Sequence, residues 1–228
     1  MTKVVSERFM ITKDHPGSLI SESYKTLRTN IRFSTLDRLT KVLLVTSAGP
    51  SEGRTTTATN LAITYAQENK KVLLIDGDLR KPTINKVFYR SNRQGLSDVL
   101  TERCVVEDSI NETDQDNLWI MTSGAIPPNP SELLGSERMR SLLLHLSEQF
   151  DVILIDSPPA LAVADAQILG AMCDGVVLVV HYGKVTVEAV RKVRRNLEHV
   201  NARILGVVLN NTNRSKAETY YRSYYGGE

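Results

Sequence analysis

Six short, almost continuously apolar runs set the strongest limit on how this chain can fold. They are KVLLVT at 41–46, KVLLID at 71–76, NLWIM at 117–121, DVILID at 151–156, GVVLVV at 175–180 and ILGVVLN at 204–210. Alternating polar and apolar residues would mark strands with one wet face. Runs apolar at nearly every position mark strands covered on both faces. Helix-length segments lie between them, near 54–68, 131–149, 163–172 and 186–200. Strand–helix–strand repetition of this kind predicts an α/β fold, a mostly parallel sheet with helices on both faces. No run approaches the ~20 apolar residues that a membrane-spanning helix needs. At 228 residues the chain suits a single domain, read here as 1–228. It opens with a helix near 19–33 and closes with a polar, tyrosine-rich tail near 211–228.

In a sheet of this type ligands bind beyond the carboxyl ends of the strands, so the residues that end each run come next. The first run leads into SAGPSEGRTTT at 47–57. From Ala48 this reads A-x-x-x-x-G-R-T, the phosphate-binding-loop (P-loop) pattern G-x-x-x-x-G-K-[ST] with a relaxed first position. Small residues let Gly49, Pro50, Ser51, Glu52, Gly53, Arg54, Thr55 and Thr56 wrap backbone amides around phosphate oxygens, helped by the positive end of the helix that follows. Thr55 offers a hydroxyl to Mg²⁺. Arg54 stands where the pattern has lysine, and a planar guanidinium is not a compact ammonium. Taken alone, the stretch reads as a working nucleotide loop, a weakened one, or a glycine turn without a ligand.

Three further aspartates favour the nucleotide. Asp76 and Asp78 end the second run, two residues apart and on one side if the strand continues through them. Asp156 ends the fourth and suits an acidic residue that holds Mg²⁺, as in the Walker B motif. Single aspartates at such places often only cap turns. Three of them at strand ends beside the loop point to nucleotide with Mg²⁺, and Thr55, Asp78 and Asp156 are the candidate metal ligands. A net charge of +2 gives no field for nucleic acid. Cys104 and Cys173 form neither a disulfide framework nor a metal cluster, and MTKVVSERFM carries no apolar signal core. Both features read as cytoplasmic.

SAGPSEGRTTTATNLA, LLIDGDLRKP, MTSGAIPPNPSELLGS, ILIDSPPALAVADA and the tyrosine-rich end together resemble the cytoplasmic kinase domain of the bacterial tyrosine kinases. The likeness is to the stand-alone chains of Gram-positive capsule and exopolysaccharide systems. It implies a P-loop NTPase-like fold and ATP/ADP with Mg²⁺ as ligands. Asp76 would accept the proton of the attacking tyrosine, and Asp78 belongs to the same acidic box. Asp156 would serve as the Walker B acid, while Arg80 and Lys81 would steady phosphate or substrate. Asn210 would touch the base. The resemblance makes Tyr220, Tyr221, Tyr224 and Tyr225, four of eight tyrosines, phospho-acceptors. It also implies a homo-oligomeric ring, a membrane-bound activator chain that recruits the kinase to the inner face of the membrane, and other tyrosine-bearing protein substrates. The family's E-x-x-R-x-x-R contact motif maps to Glu22, Lys25 and Arg28, with lysine for the first arginine.

Two other readings fit much of the pattern. One is a partition- or positioning-type ATPase switch on the same fold, although SAGPSEG lacks the additional lysine usual early in such loops. The other is a kinase-like nucleotide binder whose turnover Arg54 has impaired. In PPNPSELL, Ser131 is a candidate helix cap.

Overall fold

A computed structural model describes residues 9–34 and 40–212. The C-terminal tyrosines Tyr220, Tyr221, Tyr224 and Tyr225 lie outside the described residues. Strands β1 (Val42–Ser47), β2 (Val72–Asp76), β3 (Ile110–Glu112), β4 (Leu118–Met121), β5 (Val152–Asp156), β6 (Gly175–His181) and β7 (Ile204–Asn210) form one sheet. Its order is β3-β4-β2-β5-β1-β6-β7, and every pairing is parallel except that of β3 with β4. A short helix, α1 (Ile11–Asp14), and a long one, α2 (Leu19–Ser34), precede β1. Then come α3 (Arg54–Ala66), α4 (Ile84–Val87), α5 (Leu96–Leu100), α6 (Val106–Ser109), α7 (Pro130–Leu134), α8 (Glu137–Gln149), α9 (Asp165–Gly170) and α10 (Val187–His199).

The continuous apolar runs of β1, β2, β5 and β6 are explained by two cores, one on each face, whereas β7, expected to be covered on both faces, lies on the sheet edge with Val207 and Leu209 exposed. Leu43, Val45, Leu74, Leu154 and Val177 pack with Ala58, Leu61, Ala62 and Tyr65 of α3. Their neighbours Leu44, Leu73, Ile75, Ile153 and Ile155 turn the other way, against α8, α9 and α10 through Leu146, Leu169 and Leu197. Successive strand residues point to opposite faces, so a strand buried on both must be apolar throughout. The sheet and the helices on both sides are those expected from the sequence.

Several local expectations need correction. The segment 131–149 is two helices, broken at Gly135 and Ser136, because Ser136 takes the cap and its hydroxyl accepts from Met139 N at 3.3 Å. Ser131 is not a cap: Pro130 occupies the first turn of α7 and Asn129 precedes it. The helix near 163–172 shrinks to the six residues of α9. Strand β3 escaped notice because its three residues, INE, carry no periodic signal and lie on the sheet edge. Asp76 and Asp78 do not share a strand face. Strand β2 stops at Asp76, and Gly77 turns the chain against Asp156 O, to which its N–H donates at 2.7 Å. A Cβ at Gly77 would stand 2.8 Å from Ile155 Cγ2, so only glycine fits that turn.

Candidate active site

The strand order puts β2, β5 and β1 side by side, so the loops that follow them meet at one edge of the sheet. There the phosphate loop, the Asp76–Asp78 turn and Asp156 converge, as the sequence expects for a nucleotide crevice. Asp76 and Asp156 are direct register partners. All three aspartates are buried.

The loop between β1 and α3 turns at Ser51 and Gly53, which adopt φ of 58° and 91°. Gly53 N-caps α3, aiming that helix's free amides at the loop. Asn210, at the end of β7, closes over it: its Nδ2 donates to Glu52 O at 2.9 Å. A Cβ on Gly53 would meet that same nitrogen at 2.0 Å. Glu52 is buried and accepts from Gly49 N, so its carboxylate braces the loop from within.

Arg54 reaches across this edge. Its Nη2 donates to Asp78 Oδ2 at 2.7 Å, and its Nε stands 3.8 Å from Asp156 Oδ1. The side chain is only 13% exposed. A guanidinium thus lies between two of the three candidate metal ligands. Asp78 also accepts from the main-chain N–H groups of Arg80 and Lys81 at 3.3 and 2.9 Å, which fixes the turn after it. Thr55 Oγ1 donates to Asp156 Oδ2 at 2.6 Å.

Asp76 is equally engaged. Its Oδ2 accepts from Thr83 N and Ile84 N at 2.9 Å each, and its Oδ1 from Asp78 N at 3.2 Å. Burial pushes its pKa up to about 6, against the pull of those amides, and the charge of Asp78 adds to the rise. Burial and then the charge of Asp76 push Asp156 up to about 7, offset by Arg54 and the Thr55 hydroxyl. A proton acceptor poised near neutrality suits general base catalysis.

The raised values carry a stability consequence. Both carboxyls hold protons more tightly in the folded chain than in the unfolded one, where the ordinary value is 3.8. Their contribution is complete below that value and is lost as pH rises through about 6 and 7. The melting temperature of the nucleotide-free protein should therefore fall between pH 5 and pH 8, and Asp156→Asn should flatten much of that fall. A wild-type profile that is level or rising over this range would contradict the arrangement.

Magnesium is implied by the loop pattern, and the residues present fit it. Asp156 Oδ1 is buried with no hydrogen-bond partner, next to a threonine hydroxyl already aimed at the same carboxylate. Among the described residues no group of three or more His, Cys, Asp or Glu side chains is arranged to hold a metal. Thr55, Asp156 and Asp78 would thus share the ion with phosphate oxygens and water, the usual habit of Mg²⁺.

Arg80 is placed differently from the expectation that it steadies phosphate freely. Its Nε and Nη2 grip Asp165 at 2.9 and 3.1 Å, a partner 85 residues along the chain. Asp165 and Ser131 lie inside the runs ILIDSPPALAVADA and MTSGAIPPNPSELLGS, but the sequence reading gave neither a role at the site, since their contact with Arg80 joins distant segments. On α2, Lys25 pairs with Glu22 at 2.6 Å, while Arg28 pairs with Glu68 at 2.6 Å and donates to Thr64 O at 2.5 Å. All three contact-motif residues thus have partners within the chain. Among the described residues no helix is long and apolar enough to cross a membrane.

Known proteins share this architecture. A family model described as an AAA domain matches residues 40–211. The chain is 45% identical over 220 residues to tyrosine-protein kinase YwqD of Bacillus subtilis (strain 168), covering 96% of this chain and 92% of that one. Among solved structures, the chimerical protein CapA2B2 superposes with a TM-score of 0.85 at 39% identity, covering 88% of each chain. The septum site-determining protein MinD complexed with Mg-ADP, from Pyrococcus horikoshii, gives 0.66 at 26% identity over 77% of this chain and 72% of that one.

Proposed function

Since this chain belongs to the bacterial tyrosine-protein kinases, we propose that its acceptors include its own C-terminal cluster, Tyr220, Tyr221, Tyr224 and Tyr225, and that it regulates synthesis and export of a capsular or extracellular polysaccharide. The observation that carries the chemistry is the meeting of the loop, Asp76, Asp78 and Asp156 at one sheet edge. The sequence resemblance supports the polysaccharide role and the choice of acceptor.

In this reading the amides of the loop and of the α3 N-terminus hold the phosphates of ATP, and Asn210 lies toward the base. Magnesium, when bound, spreads and neutralises phosphate charge. Thr55, Asp156 and Asp78 would hold it, and Arg54 would leave Asp78 to reach the phosphates. The tyrosine oxygen attacks the γ-phosphorus, the bond to the bridging oxygen breaks, and ADP departs. Asp76 accepts the phenolic proton as the bond forms, since a phenol of pKa ~10 does not ionise beforehand. The carboxylate need only be close, because phosphoryl transfer is mainly positioning and charge stabilisation.

Each added phosphate brings about −1.5 to −2 charges to the tail. A ring of subunits meeting through Glu22, Lys25 and Arg28 would feel that charge, after exchanging present partners such as Glu68 for a neighbour's. A membrane-bound activator chain would hold the kinase at the inner face of the membrane, where other tyrosine-bearing proteins are also substrates.

The test is direct. After incubation of the whole chain with Mg·ATP, the C-terminal peptide containing Tyr220 to Tyr225 should gain the mass of one or more phosphates. ADP release without phosphotyrosine would favour a positioning-type ATPase switch instead. A second reading, a nucleotide binder with reduced turnover, has an observation of its own: the Arg54–Asp78 ion pair.

A further inference from the structure

Three neighbouring strands, β4, β2 and β5, run parallel, so the loops that follow them emerge at the same edge of the sheet. One hydrogen-bonded unit ties all three together. Arg80 belongs to the turn after β2, Ser131 to α7 after β4, and Asp165 to the first turn of α9 after β5. Arg80 Nε donates to Asp165 Oδ2 at 2.9 Å, and Nη2 to Oδ1 at 3.1 Å. The Ser131 hydroxyl accepts from Arg80 Nη2 at 2.9 Å and donates to Asp165 Oδ1 at 2.6 Å.

The burial is uneven in an informative way. Asp165 is fully buried, while the Arg80 side chain remains 37% exposed. A buried carboxylate is tolerated only when paired and hydrogen-bonded, so Asp165 is committed to this guanidinium. A bidentate grip also fixes the plane of the guanidinium, which a single contact would not. It uses the Nε and Nη2 edge. Nη1 makes no hydrogen bond among the described residues and lies on the edge turned away from the buried acid. The main-chain N–H of Arg80 meanwhile holds Asp78 Oδ1, whose other oxygen meets Arg54. Arg80 is thus one residue contact removed from the group expected at the phosphates.

We propose that Asp165, assisted by Ser131, is a positioning residue for transfer: it presents the free edge of Arg80 to the phosphoryl group in transit, on the side from which the acceptor enters. The inference rests on the kinase reading above. A simple staple between loops would need neither a buried acid with both oxygens engaged nor an arginine left one-third open at the crevice.

The test is a double-mutant cycle in the whole chain, with phosphotyrosine formation measured at saturating Mg·ATP and rates corrected for the folded fraction. Asp165→Asn should lower kcat about tenfold or more and leave the Kd for Mg·ADP within about twofold, the loss expected of one charge-assisted contact made in the transition state. Arg80→Ala should do the same, and Asp165→Asn added to Arg80→Ala should cost nothing further in kcat. Effects that multiply, or an Asp165→Asn enzyme within twofold of wild type, would overturn the proposal. If Asp165→Asn does not fold, Ser131→Ala decides: a drop of about threefold that vanishes in the Arg80→Ala background supports it, and no drop overturns it. Wild type without phosphotyrosine would instead defeat the kinase reading, so the two failures are distinguishable.

Discussion

Asp76→Asn should slow phosphotyrosine formation by about 10²–10⁴-fold, the range by which a lost general base commonly slows a reaction. The substitution preserves size, so the fold should survive. Oδ2 of Asp76 holds the amides of Thr83 and Ile84, and an asparagine oxygen can accept from the same two. The nitrogen would then face the N–H of Asp78, where a donor already sits at 3.2 Å, which loosens that turn slightly. Proton affinity is what disappears: the acid raised to about 6 by burial becomes an amide that accepts none. Nucleotide binding relies on other groups, the loop amides and the α3 N-terminus, so the Kd for Mg·ADP should stay within about threefold. Single-turnover phosphotyrosine formation alongside an ADP titration measures both. A variant that transfers phosphate within threefold of wild type would remove Asp76 from the chemistry.

The second large effect runs in the opposite direction. Arg54→Lys should raise the transfer rate by about 10–100-fold and tighten Mg·ADP. In the present arrangement the guanidinium donates to Asp78 at 2.7 Å and stands 3.8 Å from Asp156, almost shut off from water. Moving it to the phosphates breaks a charge-assisted hydrogen bond worth about 1.5–3 kcal/mol, which is the origin of the factor. A lysine has no planar fork, cannot bridge two carboxylates in the same way, and offers a compact charge to the β- and γ-phosphates. Wild type and Arg54→Lys compared at saturating ATP, with ADP affinity by titration, give the answer. Equal rates and equal affinities would mean that the Arg54–Asp78 pair does not restrain the site.

The elements that the chain announces are those whose signal is local. GVVLVV became β6 with only His181 added, because a strand buried on both faces must be apolar residue by residue, while ILGVVLN kept its bounds as β7 although it lies on the sheet edge with Val207 and Leu209 exposed. The loop and the three aspartates were legible for the same reason: each sits where a recognisable run ends. Contacts between distant segments left no such trace. Nothing near Asp165 reveals that its partner is Arg80, and nothing near Arg54 reveals that it donates to Asp78. Those pairings follow from the sheet order, which brings the fourth, second, fifth and first strands side by side. The break within 131–149 was hidden because Gly135 and Ser136 are tolerable inside a helix and decisive only once Ser136 caps the next one.

The register of β2 against β5 sets Asp76 opposite Asp156 on a single rung of the ladder. A parallel pair has no tight hairpin to lock its alignment, so the apolar residues below this rung must act as the vernier. A slip of one residue would reverse every side chain of β2, sending Asp76 into one core and Ile75 into the other's place. Strand alignment and acid–base chemistry are therefore one specification here, written twice. An insertion deep in β2, with every residue of the crevice intact, should silence the enzyme as completely as the loss of its acid.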